Sequence, residues 1–267
     1  MACGGRPTGP LTTLTVMVGR RELIRIAVVA VPLVTVCLGV AWLTASGRGA
    51  SARAGEASAR PGVCVPSPVH APPRPVPVSQ TERVVIGASV TQLIARDLRR
   101  QIPRVVVDAR GGRSWTIRST GDGPTLWQAY LARRASMRAG DWLVMETARG
   151  DIPVAVNRTC IESVKATLPP GACLAWVIPH EYYGVQTAAM RRWNAETGAL
   201  IRSQLATYPC HAVIDWDSLV NDYQARATGL TAAQRALGAP LLYDGRHPTA
   251  LGASVLAAAI RRATETR

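Results

Sequence analysis

The chain has 267 residues, a formal net charge of +14, six cysteines and no phenylalanine, a length that fits one domain of ordinary size plus appendages. The charge is not a nucleic-acid signature, because Lys165 is the only lysine, the arginines are scattered and no run of five like charges occurs. Low aromatic content also excludes the interleaved basic and aromatic pattern of single-strand binders, and the Arg, Ala, Gly and Pro bias is that of a genome rich in G and C.

Residues 1–25 carry Arg6, Arg20, Arg21 and Arg25 against one acid, Glu22, and residues 26–45 carry no charge. As a helix the second segment spans ~30 Å, the thickness of a bilayer core. The arginine excess before it places residues 1–25 in the cytoplasm and everything after the helix outside. An uncleaved single-pass anchor is the favoured reading. The alternative is a secretory signal cleaved at the small residues Ala45, Ser46 and Ala50. Residues 46–80 turn to Ala, Ser, Gly and Arg and then to a proline-rich stretch from Pro61 to Pro77, which reads as an extended linker.

A folded domain is expected over residues 81–267. Five β-branched or apolar runs, 83–87, 104–108, 142–147, 173–178 and 212–216, read as strands. Helical spacing marks 90–102, 125–137, 186–208 and 250–263. Such alternation predicts an α/β fold, a five-stranded parallel sheet between two helical layers. In sheets of this kind ligands bind beyond the carboxyl ends of the strands.

Two stretches carry candidate chemistry. In Tyr243-Asp244-Gly245-Arg246-His247-Pro248 an Asp stands three residues before a His on a turn framed by Gly and Pro, just ahead of a helix. A carboxylate holding imidazole Nδ1–H fixes the tautomer and makes a base of Nε2. In Val84-Val85-Ile86-Gly87-Ala88-Ser89 a strand pattern breaks at a glycine and resumes as a helix, which places Ser89 at a helix start. There Ser89 is either a helix N-cap or a nucleophile beside backbone N–H groups of partial positive charge. His247 and Asp244 taken singly are ordinary loop and turn residues. Together with Ser89 they form a possible triad.

Gly87-Ala88-Ser89 early and Asp244-Gly245-Arg246-His247-Pro248 late resemble the SGNH (GDSL-type) hydrolase family, in the form of a membrane-anchored, actinobacterial-like member. The resemblance implies a flavodoxin-like three-layer sandwich with Ser89, Asp244 and His247 as the triad. It implies an oxyanion hole made by the Ser89 N–H and a glycine N–H after the second strand, Gly112 first and Gly111 next. It also implies an Asn side chain after the third strand. The chain departs there, because Glu146-Thr147-Ala148-Arg149-Gly150-Asp151 has no Asn. Arg149, or a backbone N–H near Gly150, is expected to take its place. Ala88 stands where the family usually has Asp, a position outside the triad.

Cys64, Cys160, Cys173 and Cys210 follow the apolar segment, and four cysteines allow three pairings. The expected pairs are Cys160 with Cys173, which bound what reads as a loop turning at Pro169, Pro170 and Gly171, and Cys64 with Cys210. No CxxC or His/Cys cluster occurs, so neither a metal nor an organic cofactor is expected. Trp176, Trp193 and Trp216 read as core or cleft walls, and Pro179 to Tyr183 as pocket lining, with His180 as a substrate contact. Asn157-Arg158-Thr159 fits a glycosylation sequon. The expected function is an outward-facing esterase or O-acyl-transferring enzyme, anchored in the cell membrane, acting on an ester-bearing small molecule, lipid or glycan. The reading from another class is a non-catalytic domain that binds envelope glycan or a protein partner.

Overall fold

A computed structural model describes residues 64, 82–116, 123–147, 152–182 and 187–265, all within the unit Ala54–Arg267. The expected membrane segment, and the linker apart from Cys64, lie outside the described residues. No helix among the described residues is long and apolar enough to cross a membrane.

Five parallel strands form one sheet in the order β2-β1-β3-β4-β5. They are β1 (Arg83–Gly87), β2 (Val105–Ala109), β3 (Trp142–Glu146), β4 (Cys173–Ile178) and β5 (His211–Asp215). The central β3 and β4 are buried at every residue and read as unbroken apolar runs ending in a single acid or in Pro179, as strands covered on both faces must. Period-two alternation divides the core. Val84, Ile86, Leu143, Met145, Leu174 and Trp176 pack against α2 (Leu126–Arg134), α3 (Val154–Thr167) and α4 (Ala188–Leu205). Val85, Val144, Ala175, Val177 and Ile214 face α1 (Ser89–Gln101), α5 (Trp216–Arg226) and α7 (Ala250–Glu265). The short α6 (Ala232–Ala236) follows α5 and is closed by a capping box in which Thr231 and Gln234 exchange hydrogen bonds.

This is the α/β sandwich with a five-stranded parallel sheet that the alternation predicts, with three helices the pattern did not reveal: α3, α5 and α6. Residues 154–167 are a helix rather than a loop, and this overturns the expected disulfides. Cys160 lies midway along α3, fully buried, and pairs with Cys64. Cys173 opens β4, and the register Leu174↔His211 sets it opposite Cys210, with which it pairs. The linker is therefore tied to α3, not to the start of β5. Asn157 also lies on α3, buried, with its Oδ1 accepting from Trp115 Nε1 at 3.0 Å, so the sequon is not presented to a glycosylating enzyme.

Non-reducing peptide mapping should recover Cys64–Cys160 and Cys173–Cys210 and no other pair. The first closes a separation of 96 residues and the second 37. By loop-closure entropy, removing the first should cost about 0.8 kcal/mol more in chemical unfolding than removing the second.

Candidate active site

Because all five strands run the same way, their carboxyl ends share one edge, and the chemistry-bearing residues collect there. At the end of β1 a Cβ on Gly87 would stand 1.9 Å from Thr91 Oγ1 and 2.8 Å from Glu146 Oε2, so only glycine lets the chain turn this closely. Ala88 is the N-cap of α1 and makes no side-chain cap. Its N–H donates to Glu146 Oε2 at 3.0 Å, and the Thr91 hydroxyl donates to the same oxygen at 3.1 Å. Ser89 is thus not a capping residue. It is the first residue of the helix, where its N–H has no intrahelical acceptor, and its Oγ lies 2.9 Å from His247 Nε2, a residue 158 positions away.

Beneath this turn lies a fully buried guanidinium. Arg113 Nε–H donates to the Gly87 carbonyl at 2.9 Å, Nη1 to Asp108 Oδ1 at 2.9 Å, and Nη2 to the Asp108 carbonyl. Arg133 Nε donates to Asp108 Oδ2 at 3.0 Å. Burial pushes the Asp108 carboxyl up, but the hydrogen bonds and charges of Arg113 and then Arg133 outweigh it and hold the pKa below 3.8.

The His247 loop is wound by Asp244. Its Oδ1 accepts the N–H groups of His247 at 2.7 Å and Arg246 at 3.1 Å, and its Oδ2 stands 2.6 Å from His247 Nδ1. Gly245 has φ of 86°, and a Cβ there would sit 2.6 Å from the Tyr182 carbonyl, so no other residue fits. An isolated bridge between Leu242 and Pro248 and the bond from Tyr243 N–H to the His247 carbonyl at 3.1 Å close the loop's base. The Tyr243 ring stacks on the imidazole with centroids 5.8 Å apart. Burial raises the Asp244 carboxyl. The side-chain bond to His247, the N–H groups of His247 and Arg246, and the charge of His247 together bring it below 3.8. Asp244 is therefore an anion at neutral pH, which keeps a proton on Nδ1 and turns the Nε2 lone pair toward Ser89.

The other expected site residues fare differently. Gly111 comes beside Ser89, since a Cβ on it would stand 4.0 Å from that of Ser89, but its N–H is taken by Gln92 Oε1 at 2.7 Å. Gly112 has φ of 75° and open space where a side chain would be. Arg149 and Gly150 lie outside the described residues. His180 does not fit a substrate contact. Its side chain has no exposed surface, its Nδ1 lies 2.7 Å from Asp217 Oδ1, and its ring meets the edge of Tyr182. The register Ile178↔Asp215 explains this, because His180 and Asp217 each lie two residues beyond it. Trp176 and Trp216 are core.

Sequence reasoning missed Glu146 and Glu181, both buried just at or beyond strand ends. Arg246 reaches down to pair with Glu181. The available signal was a single acid closing an otherwise apolar run, as in Trp142-Leu143-Val144-Met145-Glu146.

No family model and no curated protein sequence matches the chain. Among solved structures, the fold is that of the C-terminal catalytic domain of Streptococcus pneumoniae peptidoglycan O-acetyltransferase A, solved with a methylsulfonyl adduct. The TM-score is 0.51 at 18% identity, over 68% of this chain and 92% of that one. A protein of Slackia heliotrinireducens provisionally assigned as an SGNH hydrolase aligns with TM-score 0.48 and 18% identity, over 69% and 99%. The Geobacillus stearothermophilus acetylxylan esterase Axe2 aligns with TM-score 0.47 and 16% identity, over 70% and 95%. At these identities the likeness establishes a common fold.

Asp108, Asp215 and Asp244 all have folded-state pKa values below 3.8. Each therefore stabilises the fold fully above the unfolded value, and that stability is lost as pH falls through the folded values. Urea unfolding should show little change in stability from pH 7 to about pH 5 and a fall below about pH 4. Asp108→Asn should flatten part of that fall.

Proposed function

We propose that the protein is an extracytoplasmic serine esterase or O-acyl-transferring enzyme working through Ser89, His247 and Asp244. The observation that carries this reading is the pair of contacts on one imidazole, 2.9 Å from Nε2 to Ser89 Oγ and 2.6 Å from Nδ1 to Asp244 Oδ2. In the proposed reaction Ser89 Oγ attacks the ester carbonyl while Nε2 takes its proton, and Asp244 stabilises the imidazolium that forms. The tetrahedral intermediate collapses with expulsion of the alcohol, which Nε2 protonates, leaving an acyl group on Ser89. Water, or a second alcohol in the transferring case, then attacks with Nε2 again as base, and the serine is regenerated.

The developing oxyanion is assigned to the Ser89 N–H at the positive end of α1 and to the Gly112 N–H. Arg149 is assigned the donor role of the missing Asn, a guanidinium having several donors and a permanent charge. The cell-envelope setting rests on the arginine-flanked apolar segment 26–45 and on two disulfides, which persist in oxidising compartments. The sharing of this fold with a peptidoglycan O-acetyltransferase domain makes an O-acyl group on an envelope glycan the first substrate to try. The absent third-strand Asn favours a second reading, a domain that binds such a glycan or a protein without turning it over.

With a panel of acyl esters, Ser89→Ala and His247→Ala should each lower kcat by about 10³-fold or more at unchanged thermal midpoint, with Asp244→Asn costing less. Arg149→Ala should lower kcat by about 10²-fold, and Arg149→Asn should recover part of it. Turnover by Ser89→Ala close to that of the natural protein would remove the triad, and unchanged kinetics in both Arg149 variants would remove that donor.

A further inference from the structure

The acid-base loop stands between two supports. On one side it is held by backbone bonds to its own flanks, Gly245 N–H to the Leu237 carbonyl at 2.9 Å and Thr249 N–H to the Leu241 carbonyl at 2.8 Å. On the other side it leans on Pro179-His180-Glu181-Tyr182, which follows β4. Tyr182 N–H donates to the Gly245 carbonyl at 3.0 Å, and the left-handed Gly245 is pressed against the Tyr182 carbonyl. Between Asp244 and His247, Arg246 sends its guanidinium to Glu181.

Glu181 is an unusual partner. Its side chain has no exposed surface, and its Oε2 has no hydrogen-bond partner among the described residues, so the Arg246 guanidinium on Oε1 is what balances a charge removed from water. Its backbone is clamped as well. Asn194 of α4, itself buried, accepts from Glu181 N–H at 3.2 Å and donates to the Glu181 carbonyl at 3.0 Å. A rigid helix thus fixes a peptide, the peptide fixes a carboxylate, and the carboxylate fixes the residue whose own N–H is gathered by Asp244 Oδ1 beside that of His247.

We propose that Glu181 is a positioning residue for the reaction proposed above, on which this inference rests. Through Arg246 it sets the register of the Asp244–His247 turn, and so the 2.9 Å reach from His247 Nε2 to Ser89 Oγ. A general base displaced by about 1 Å loses on the order of 10²-fold in rate. Buried pairing alone does not require this role, since a buried ion pair can often be exchanged for neutral groups without loss of stability. That fact separates positioning from bulk support.

The test uses the full chain and 4-nitrophenyl acetate, with Glu181→Gln, Arg246→Met and the double variant, whose buried groups are both neutral. Each single variant should lower kcat by about ten-fold or more with KM within about two-fold. The double variant should recover the thermal midpoint lost by the singles but not their kcat. A second readout needs no turnover. The proton on His247 Nδ1, bonded to Asp244, should give a downfield resonance in the natural protein that is broadened or lost in the double variant. Recovery of kcat along with stability in the double variant, or a resonance unchanged in it, would overturn the proposal. An absence of turnover by the natural protein, with the resonance present and sensitive to Glu181, would count against the proposed esterase while supporting the positioning role.

Discussion

Buried carboxylates at the carboxyl edge of the sheet are what the site's geometry depends on. Parallel strands end together, and their last peptides and the loops beyond them leave backbone groups and turns to be held where water is scarce. Four strand ends carry an acid for this purpose. Asp108 of β2 takes Arg113 and Arg133, Glu146 of β3 takes the Ala88 N–H and the Thr91 hydroxyl, Glu181 beyond β4 takes Arg246, and Asp215 of β5 takes Arg202 and the Ser218 N–H and hydroxyl. Each carboxylate binds groups from a different element, so the edge is cross-braced rather than simply covered.

Two of these braces converge on the reacting pair from opposite sides. Glu146 and Arg113 hold the turn before Ser89, one through the Ala88 N–H and the other through the Gly87 carbonyl. Glu181, through Arg246, holds the turn that carries His247. Preorganisation of this kind gives catalytic groups their geometry before a substrate arrives. It also explains two glycines without appeal to flexibility. Gly87 leaves room for Thr91 and Glu146, and Gly245 permits both a left-handed backbone and contact with Tyr182.

Much of this was legible in the sequence, and the parts that were not share a cause. All five strands could be read because continuous β-branched runs have no helical alternative at that length. Ser89, Asp244 and His247 stood out because Gly87 and Gly245 flag turns whose neighbours have chemistry. Helix α5 was hidden because it starts at Trp216 with no intervening loop, Asp215 serving both as the end of β5 and as the cap of the helix. Helix α3 was hidden by its β-branched content and by the cysteine that suggested a loop. Its existence decides the disulfides, which no spacing rule can order among three pairings. The misplacement of His180 has a similar origin. A strand-end histidine points to solvent or to the interior according to what the next strand presents, and here Asp217 draws it in. Long-range partners such as Glu181 with Arg246, 65 residues apart, leave no local pattern at all.

The central claim is that Ser89 is a nucleophile activated by His247. The measurement that tests it most directly is covalent labelling of the full chain with a serine-reactive fluorophosphonate, followed by mass spectrometric location of the adduct. The account predicts a single adduct, on Ser89, that forms far more slowly in His247→Ala. An unlabelled Ser89, or labelling that proceeds equally fast without His247, would contradict it.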